Sequence, residues 1–195
     1  MLPKAFIFYG LSGSGKGTQA EMLESYLKQN DTAHGVAYLS TGKGLRDFSE
    51  KDSHTSALVK DVLGSGGLLP SFLPIWVWTN LLIEYADGKT HIILDGAARR
   101  EQEAPVLENA LSFYNFENIY VILLSISRDE ATKRLLKRGR SDDSDEEIKN
   151  RLDWYETEVE PAVAFFKKSP GVRFLDIDGE QSVEEIHQDI VKKIS

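Results

Sequence analysis

The run Gly10-Leu11-Ser12-Gly13-Ser14-Gly15-Lys16-Gly17-Thr18-Gln19 sets one lysine among four glycines, directly after the apolar stretch Ala5-Phe6-Ile7-Phe8-Tyr9. Strand, glycine loop and helix in that order form a phosphate cradle. Glycines let the backbone turn tightly with its N–H groups aimed inward, and the helix N-terminus that follows favours anions. Lys16 reaches terminal phosphates from such a loop, and Thr18 is placed to help position Mg²⁺. The usual spacing puts Ser or Thr directly after the lysine, whereas here Gly17 intervenes.

The arginines are the second chemical feature. Arg46 stands alone, Arg99 and Arg100 follow a predicted strand at 91–95, and Arg134, Arg138, Arg140 and Arg151 bracket a polar stretch. A helix places Arg134 and Arg138, four apart, on one face. Arg99 falls beyond a strand end, where α/β sheets collect ligands. A guanidinium grips two phosphate oxygens at once and keeps its charge at every relevant pH. Asp95 ends the same strand, where a carboxylate facing the glycine loop can hold Mg²⁺ through water. Arg128 and Arg173 read as solvated surface charges.

The four histidines, 34, 54, 91 and 187, show no metal-like spacing, and no covalent nucleophile stands out. Phosphoryl transfer needs none, because its work is alignment and charge neutralisation. An acceptor that is itself a phosphate accounts for so many arginines.

Composition limits the alternatives. The 195 residues fit one domain, 41% hydrophobic and 28% charged, which is an ordinary globular balance. Without cysteine there is neither a disulfide framework nor a thiolate zinc site. No stretch approaches the roughly 18 apolar residues of a membrane span, and Met1-Leu2-Pro3-Lys4 carries no secretory pattern, so a cytoplasmic location is expected. The net charge of −8 repels nucleic acid and anionic membrane.

To position these groups the chain alternates strand and helix. Apolar β-rich runs at 5–9, 36–39, 91–94, 119–126 and 172–177 are separated by helical patterns, which implies a parallel sheet covered on both faces. The first helix is expected over 16–29 with Ala20, Leu23 and Leu27 buried. The last, 182–194, opens on the capping-box pair Ser182 and Glu185. Residues 41–70 read as a small helical flap with a hinge at Ser65-Gly66-Gly67-Leu68-Leu69-Pro70. Residues 137–145 read as a short polar loop. Trp76, Trp78, Tyr155, Phe165 and Phe166 are assigned to packing.

With these motifs in order, the chain resembles the adenylate kinases, within the nucleoside monophosphate kinases, along nearly its whole length. The loop Gly13-Ser14-Gly15-Lys16-Gly17-Thr18, Ser40-Thr41-Gly42-Lys43-Gly44-Leu45-Arg46, Gly67-Leu68-Leu69 and Asp95-Gly96-Ala97-Ala98-Arg99 carry the likeness, with Arg134, Arg138, Arg140, Arg151, Asp142-Asp143 and Gln181. The resemblance implies a P-loop NTPase three-layer sandwich around a five-stranded parallel sheet, with a monophosphate-binding flap at 41–70 and a minimal lid loop at 137–145, all in one domain over 1–195. It further implies ATP contacts from the glycine loop, Arg134, Arg138 and Gln181. AMP contacts would come from Thr41, Arg46, Gly67, Leu68, Leu69, Gly96, Arg99, Gln102, Glu103, Arg140 and Arg151. Lys16, Arg99, Arg138, Arg140 and Arg151 would be the catalytic set, with Thr18 and Asp95 on the Mg²⁺ cofactor.

This chain departs from the family pattern in four places. No lid insertion separates Gly139 from Arg140, alanines stand at 97 and 98 where an aromatic residue and proline are usual, Lys43 replaces an acidic residue, and Glu103 replaces a base-reading glutamine, with Gln102 one position early. The expected reaction is ATP + AMP ⇌ 2 ADP, its partners ATP, AMP and ADP, with no obligate protein partner. Three alternatives stay open. They are a UMP/CMP or broad-specificity monophosphate kinase, a small-metabolite kinase, and a non-catalytic nucleotide sensor.

Overall fold

The computed structural model describes residues 2–139 and 144–194. Five strands, β1 (Lys4–Gly10), β2 (Gly35–Ser40), β3 (Thr90–Asp95), β4 (Asn118–Ser125) and β5 (Val172–Asp178), form one sheet in the order β2-β3-β1-β4-β5. Every pairing is parallel. The middles of the central strands are apolar because both faces are covered, with polar residues kept to their ends. Along β1, Phe6 and Phe8 point to one layer while Ala5, Ile7 and Tyr9 point to the other.

The first layer is α1 (Lys16–Asn30) with α9 (Val183–Ile194), whose Ala20, Leu23, Leu27, Ile186, Ile190 and Ile194 meet Phe6 and Phe8. The second holds α4 (Phe72–Tyr85), α5 (Ala104–Phe113), α6 (Arg128–Arg138), α7 (Asp145–Trp154) and α8 (Glu160–Lys168). These bring Trp78, Leu82, Leu107, Leu111, Leu135, Leu152 and Phe166 onto Ile7 and Leu94. The expected three-layer α/β sandwich is the observed fold. No helix among the described residues is long and apolar enough to cross a membrane.

Local chemistry sets the element ends. Ser182 and Glu185 form the expected box, each side chain taking the other's backbone N–H at 3.3 and 3.0 Å. Ser127 caps α6, acidic residues fill its first turn and Lys137 and Arg138 its last, which suits the helix dipole. The predicted loop at 137–145 is therefore shorter than its sequence span, since Lys137 and Arg138 are helical and Asp145 opens α7.

Residues 41–70 contribute α2 (Thr41–Ser49) and α3 (His54–Gly64). Their Leu45 and Val59 join Leu69, Leu73 and Val77 in a small hydrophobic cluster separate from the sheet cores. Between α7 and α8 the chain makes a π turn, Tyr155–Val159, with Glu160 N–H bonded to Tyr155 O. Pro161 has no N–H to return to the ladder, and the helix widens just before it.

Of the aromatics assigned to packing, Trp78, Tyr155 and Phe166 are buried, and Phe165 packs against the core. Trp76 differs: it is 46% exposed on the outer face of α4.

Candidate functional site

The register aligns the carboxyl ends of β1, β2 and β3, with Phe8 and Ser40 both opposite Asp95. A cavity of about 900 Å³ opens there, the end of an α/β sheet where ligands gather. Gly13 to Thr18 line one side. Gly13 has φ +86, and a Cβ on it would stand 2.9 Å from the Ala131 carbonyl oxygen. Only glycine lets the loop pass this close to α6.

Lys16 curls into its own loop, its Nζ donating to Gly10 O at 2.7 Å and Leu11 O at 2.8 Å. Burial lowers its pKa to about 8, Asp95 acts to raise it, and Arg99 and Arg138 add to the lowering. The ammonium thus sits among like charges in a desolvated pocket, an arrangement that an anion relieves.

Asp95 and Thr18 line the same cavity. Tyr38, from β2, donates its hydroxyl proton to Asp95 Oδ2 at 3.0 Å. Burial first and the Asp95 charge second push the Tyr38 pKa up, so the phenol keeps the proton it donates.

The arginines converge as expected from their positions. Arg46, Arg99, Arg134, Arg138 and Arg151 all line this cavity with Lys16. Arg134 Nε pairs with Glu130 at 2.7 Å, four residues back on α6. Arg151 is 9% exposed, and its Nε donates to Glu147 O. Arg99 is held differently. Its guanidinium has no hydrogen-bonded or ion-paired acceptor among the described residues, and its carbon lies 5.8 Å from the Trp154 ring centroid. Burial lowers its pKa while Asp95 and Glu103 pull it back up. Arg140 and Asp142-Asp143 lie outside the described residues.

At the flap end, Thr41, Gly67, Leu68, Leu69, Gly96 and Glu103 reach the cavity, and Gln181 reaches it from the α9 side. Thr41 Oγ1 is buried without a hydrogen-bond partner among the described residues. Glu103 is buried too, one oxygen accepting the Arg99 backbone N–H at 2.9 Å. Gln102, expected beside it, stands outside. The 3₁₀ turn Glu101–Glu103 directs it to the surface, where its amide donates to Ser71 Oγ at 3.1 Å. One residue of rotation in that turn puts the carboxylate, not the amide, in the wall.

Tyr38 and Trp154 also line the cavity, though neither is among the site residues expected from the sequence. Alternation along β2 sets Tyr38 on the face of Ser40, and Trp154 follows Arg151 by three on one helix. Those were the available signals. Arg128, read as a solvated charge, bridges Asp153 and Glu156 and so ties α6 to α7 and its π turn. Arg173 donates to Tyr120 Oη at 2.7 Å.

The histidines are less scattered than their numbering suggests. Asp31, His34 and His91 meet at the amino ends of the strands, away from the cavity. Lys4 N–H donates to His91 Nδ1 at 2.8 Å, which fixes the ring proton on Nε2, where it bonds Asp31 at 3.0 Å. With both ring nitrogens used, His91 has no lone pair for a metal ion.

Whole-chain comparison agrees with the cavity. The family model described as adenylate kinase matches residues 8–170. An adenylate kinase of Leptospira biflexa is 35% identical over 195 residues, covering 98% of this chain and 100% of that one. One from Prochlorococcus marinus (strain MIT 9301) is 32% identical over 194 residues and all of both chains. Adenylate kinase 1 of a Nostoc species is 33% identical over 184 residues, 94% of this chain and 95% of its own. Sequence likeness along the full length and a lysine loop facing converged arginines lead to the same place: the chain belongs to the adenylate kinase family.

Proposed function

We propose that the protein is an adenylate kinase catalysing ATP + AMP ⇌ 2 ADP, working as a single nucleoside monophosphate kinase domain over 1–195 with a flap at 41–70 and a short lid loop within 137–145. The observation that carries this reading is the cavity in which Arg46, Arg99, Arg138 and Arg151 converge beside Lys16. One phosphate chain does not require that many cations, whereas two nucleotides meeting head to head do.

In this reading the amides of the glycine loop and Lys16 hold the donor phosphates, with Arg134 and Gln181 on the same nucleotide. Arg46 and Arg99 fix the acceptor phosphate in line. Arg138, Arg140 and Arg151 neutralise charge on the transferring group, where fixed donors are most effective. Thr41, the backbone of 67–69 and Glu103 surround the acceptor base. Closure of the flap excludes water and limits ATP hydrolysis.

Asp95 and Thr18 offer hard oxygen donors on the cavity wall beside the loop, a set suited to Mg²⁺. They would hold the ion, which supplies charge neutralisation on the donor phosphates when bound.

Glu103 favours a second reading at the base. While ionised its carboxylate only accepts hydrogen bonds, a preference an amide does not share, and this supports a broader set of acceptors, UMP and CMP included. Product analysis with ATP and a panel of monophosphates tests both. Two ADP per ATP consumed, fastest with AMP, is the expected result. Equal or faster rates with a pyrimidine monophosphate would favour the second reading, and ATP binding without any diphosphate product would overturn both.

A further inference from the structure

Trp154 ends α7, three residues after Arg151, where the helix enters its π turn. Its indole engages two different parts of the site. Nε1–H donates to the carbonyl oxygen of Gly66 at 3.0 Å, and the ring lies under the guanidinium of Arg99. Gly66 belongs to the turn that closes the flap after α3. It is held at φ +66, and a Cβ there would stand 2.9 Å from the Glu147 carbonyl oxygen, so the turn rests directly on α7. On its other side Arg99 presses on Gly96, where a side-chain carbon would come within 2.8 Å of Nη2.

With no acceptor among the described residues, the Arg99 guanidinium has nothing polar there to hold its flexible stem in one place. A glycine backbone on one side and an aromatic face on the other supply that restraint without using any of its N–H groups. Hydrogen-bonded carboxylates would fix it as well but would consume the donors and cancel the charge. The carboxylates of Asp95 and Glu103 act on the Arg99 guanidinium only through space, Glu103 being bonded to the Arg99 backbone N–H instead, and a loosened guanidinium would swing toward them.

We infer that Trp154 is a positioning residue, which orients the Arg99 guanidinium for the acceptor phosphate and links that orientation to the flap turn at Gly66. The inference rests on the reading of Arg99 as an acceptor-phosphate clamp. The two contacts are separable by substitution. Trp154→Phe keeps an aromatic face and removes the N–H, while Trp154→Leu removes both.

The test combines steady-state kinetics, calorimetric AMP binding and amide hydrogen exchange on the full chain, with circular dichroism to verify folding. Trp154→Leu is expected to weaken AMP binding and raise its KM about tenfold, the scale of a desolvated cation–π contact, with the KM for ATP unchanged within about twofold. Trp154→Phe is expected to retain most AMP affinity but lose exchange protection at 64–68. If Trp154→Leu does not fold, Trp154→Met, which fills the space without an aromatic face, takes its place.

An Arg99→Met background isolates the route of action. There, removing the indole should change AMP affinity less than twofold. Equal weakening in both backgrounds, or equal loss for ATP and AMP, would overturn the inference. If Arg99→Met by itself left AMP binding intact, the clamp reading would fail, whatever Trp154 does.

Discussion

Replacing Arg99 by methionine removes the charge and the planar fork while keeping an unbranched side chain that can still lie against the Trp154 ring. The guanidinium has no acceptor among the described residues and is desolvated enough for burial to lower its pKa. If its role is to grip a phosphate, the substitution deletes two charge-assisted hydrogen bonds, each worth about 1.5–3 kcal/mol. Their loss, about 3–6 kcal/mol, corresponds to a fall of about two to four orders of magnitude in kcat/KM for AMP, at 1.36 kcal/mol per decade. The KM for ATP should move by no more than about threefold. In the ligand-free protein the sign reverses. A desolvated cation lacking an anionic partner is a cost, so the variant should be more stable by about 1 kcal/mol, about 2–4 °C in midpoint for a chain of this size. A coupled ADP-formation assay and a thermal melt without nucleotide read the two effects. Retention of kcat/KM within tenfold would refute the phosphate role. Lost activity with a clearly lower melting point would instead make Arg99 a structural residue.

Lys16→Met, which removes the ammonium curled onto Gly10 O and Leu11 O, should lower kcat by about 10²–10³ with the fold intact, and near-normal turnover would count against the loop assignment. Gly66→Ala must place a methyl group 2.9 Å from Glu147 O at φ +66. It should cost about 1–3 kcal/mol of stability, and an unchanged denaturant midpoint would contradict that contact. Acid should destabilise the chain through the Asp31 cluster. Burial lowers the His91 pKa from 6.5, so below about pH 6.5 the unfolded chain takes up a proton that the folded chain resists. Asp31, lowered from 3.8 to about 2 by hydrogen bonds from His34 and His91, adds stability that is present above about pH 4 and lost as pH falls through 2. The melting midpoint should therefore drop from pH 7 to pH 5, and less steeply in His91→Asn even if that variant is weaker throughout. An identical slope would exclude His91 as the titrating group.

Much of this was visible in the order of residues, wherever the chemistry is local. A glycine loop between a buried strand and a helix, strand–helix alternation, and Ser182 three residues before Glu185 each depend on neighbours within one turn or one strand. Their outcome is set by backbone sterics and short-range hydrogen bonds, which operate in any context. Arg134 and Arg138 on one face follow from helical periodicity in the same way. Which partners lie across the molecule was decided only by the packed fold. Tyr38 reaches Asp95 over 57 residues, Trp154 reaches Gly66 over 88, and Asp31 joins His91 over 60. No short-range pattern encodes such meetings, because they result from the joint packing of layers in which each contact is weak. The placement of Glu103 in the cavity wall and of Gln102 outside it is the smallest instance, a single residue's rotation in the 3₁₀ turn Glu101–Glu103.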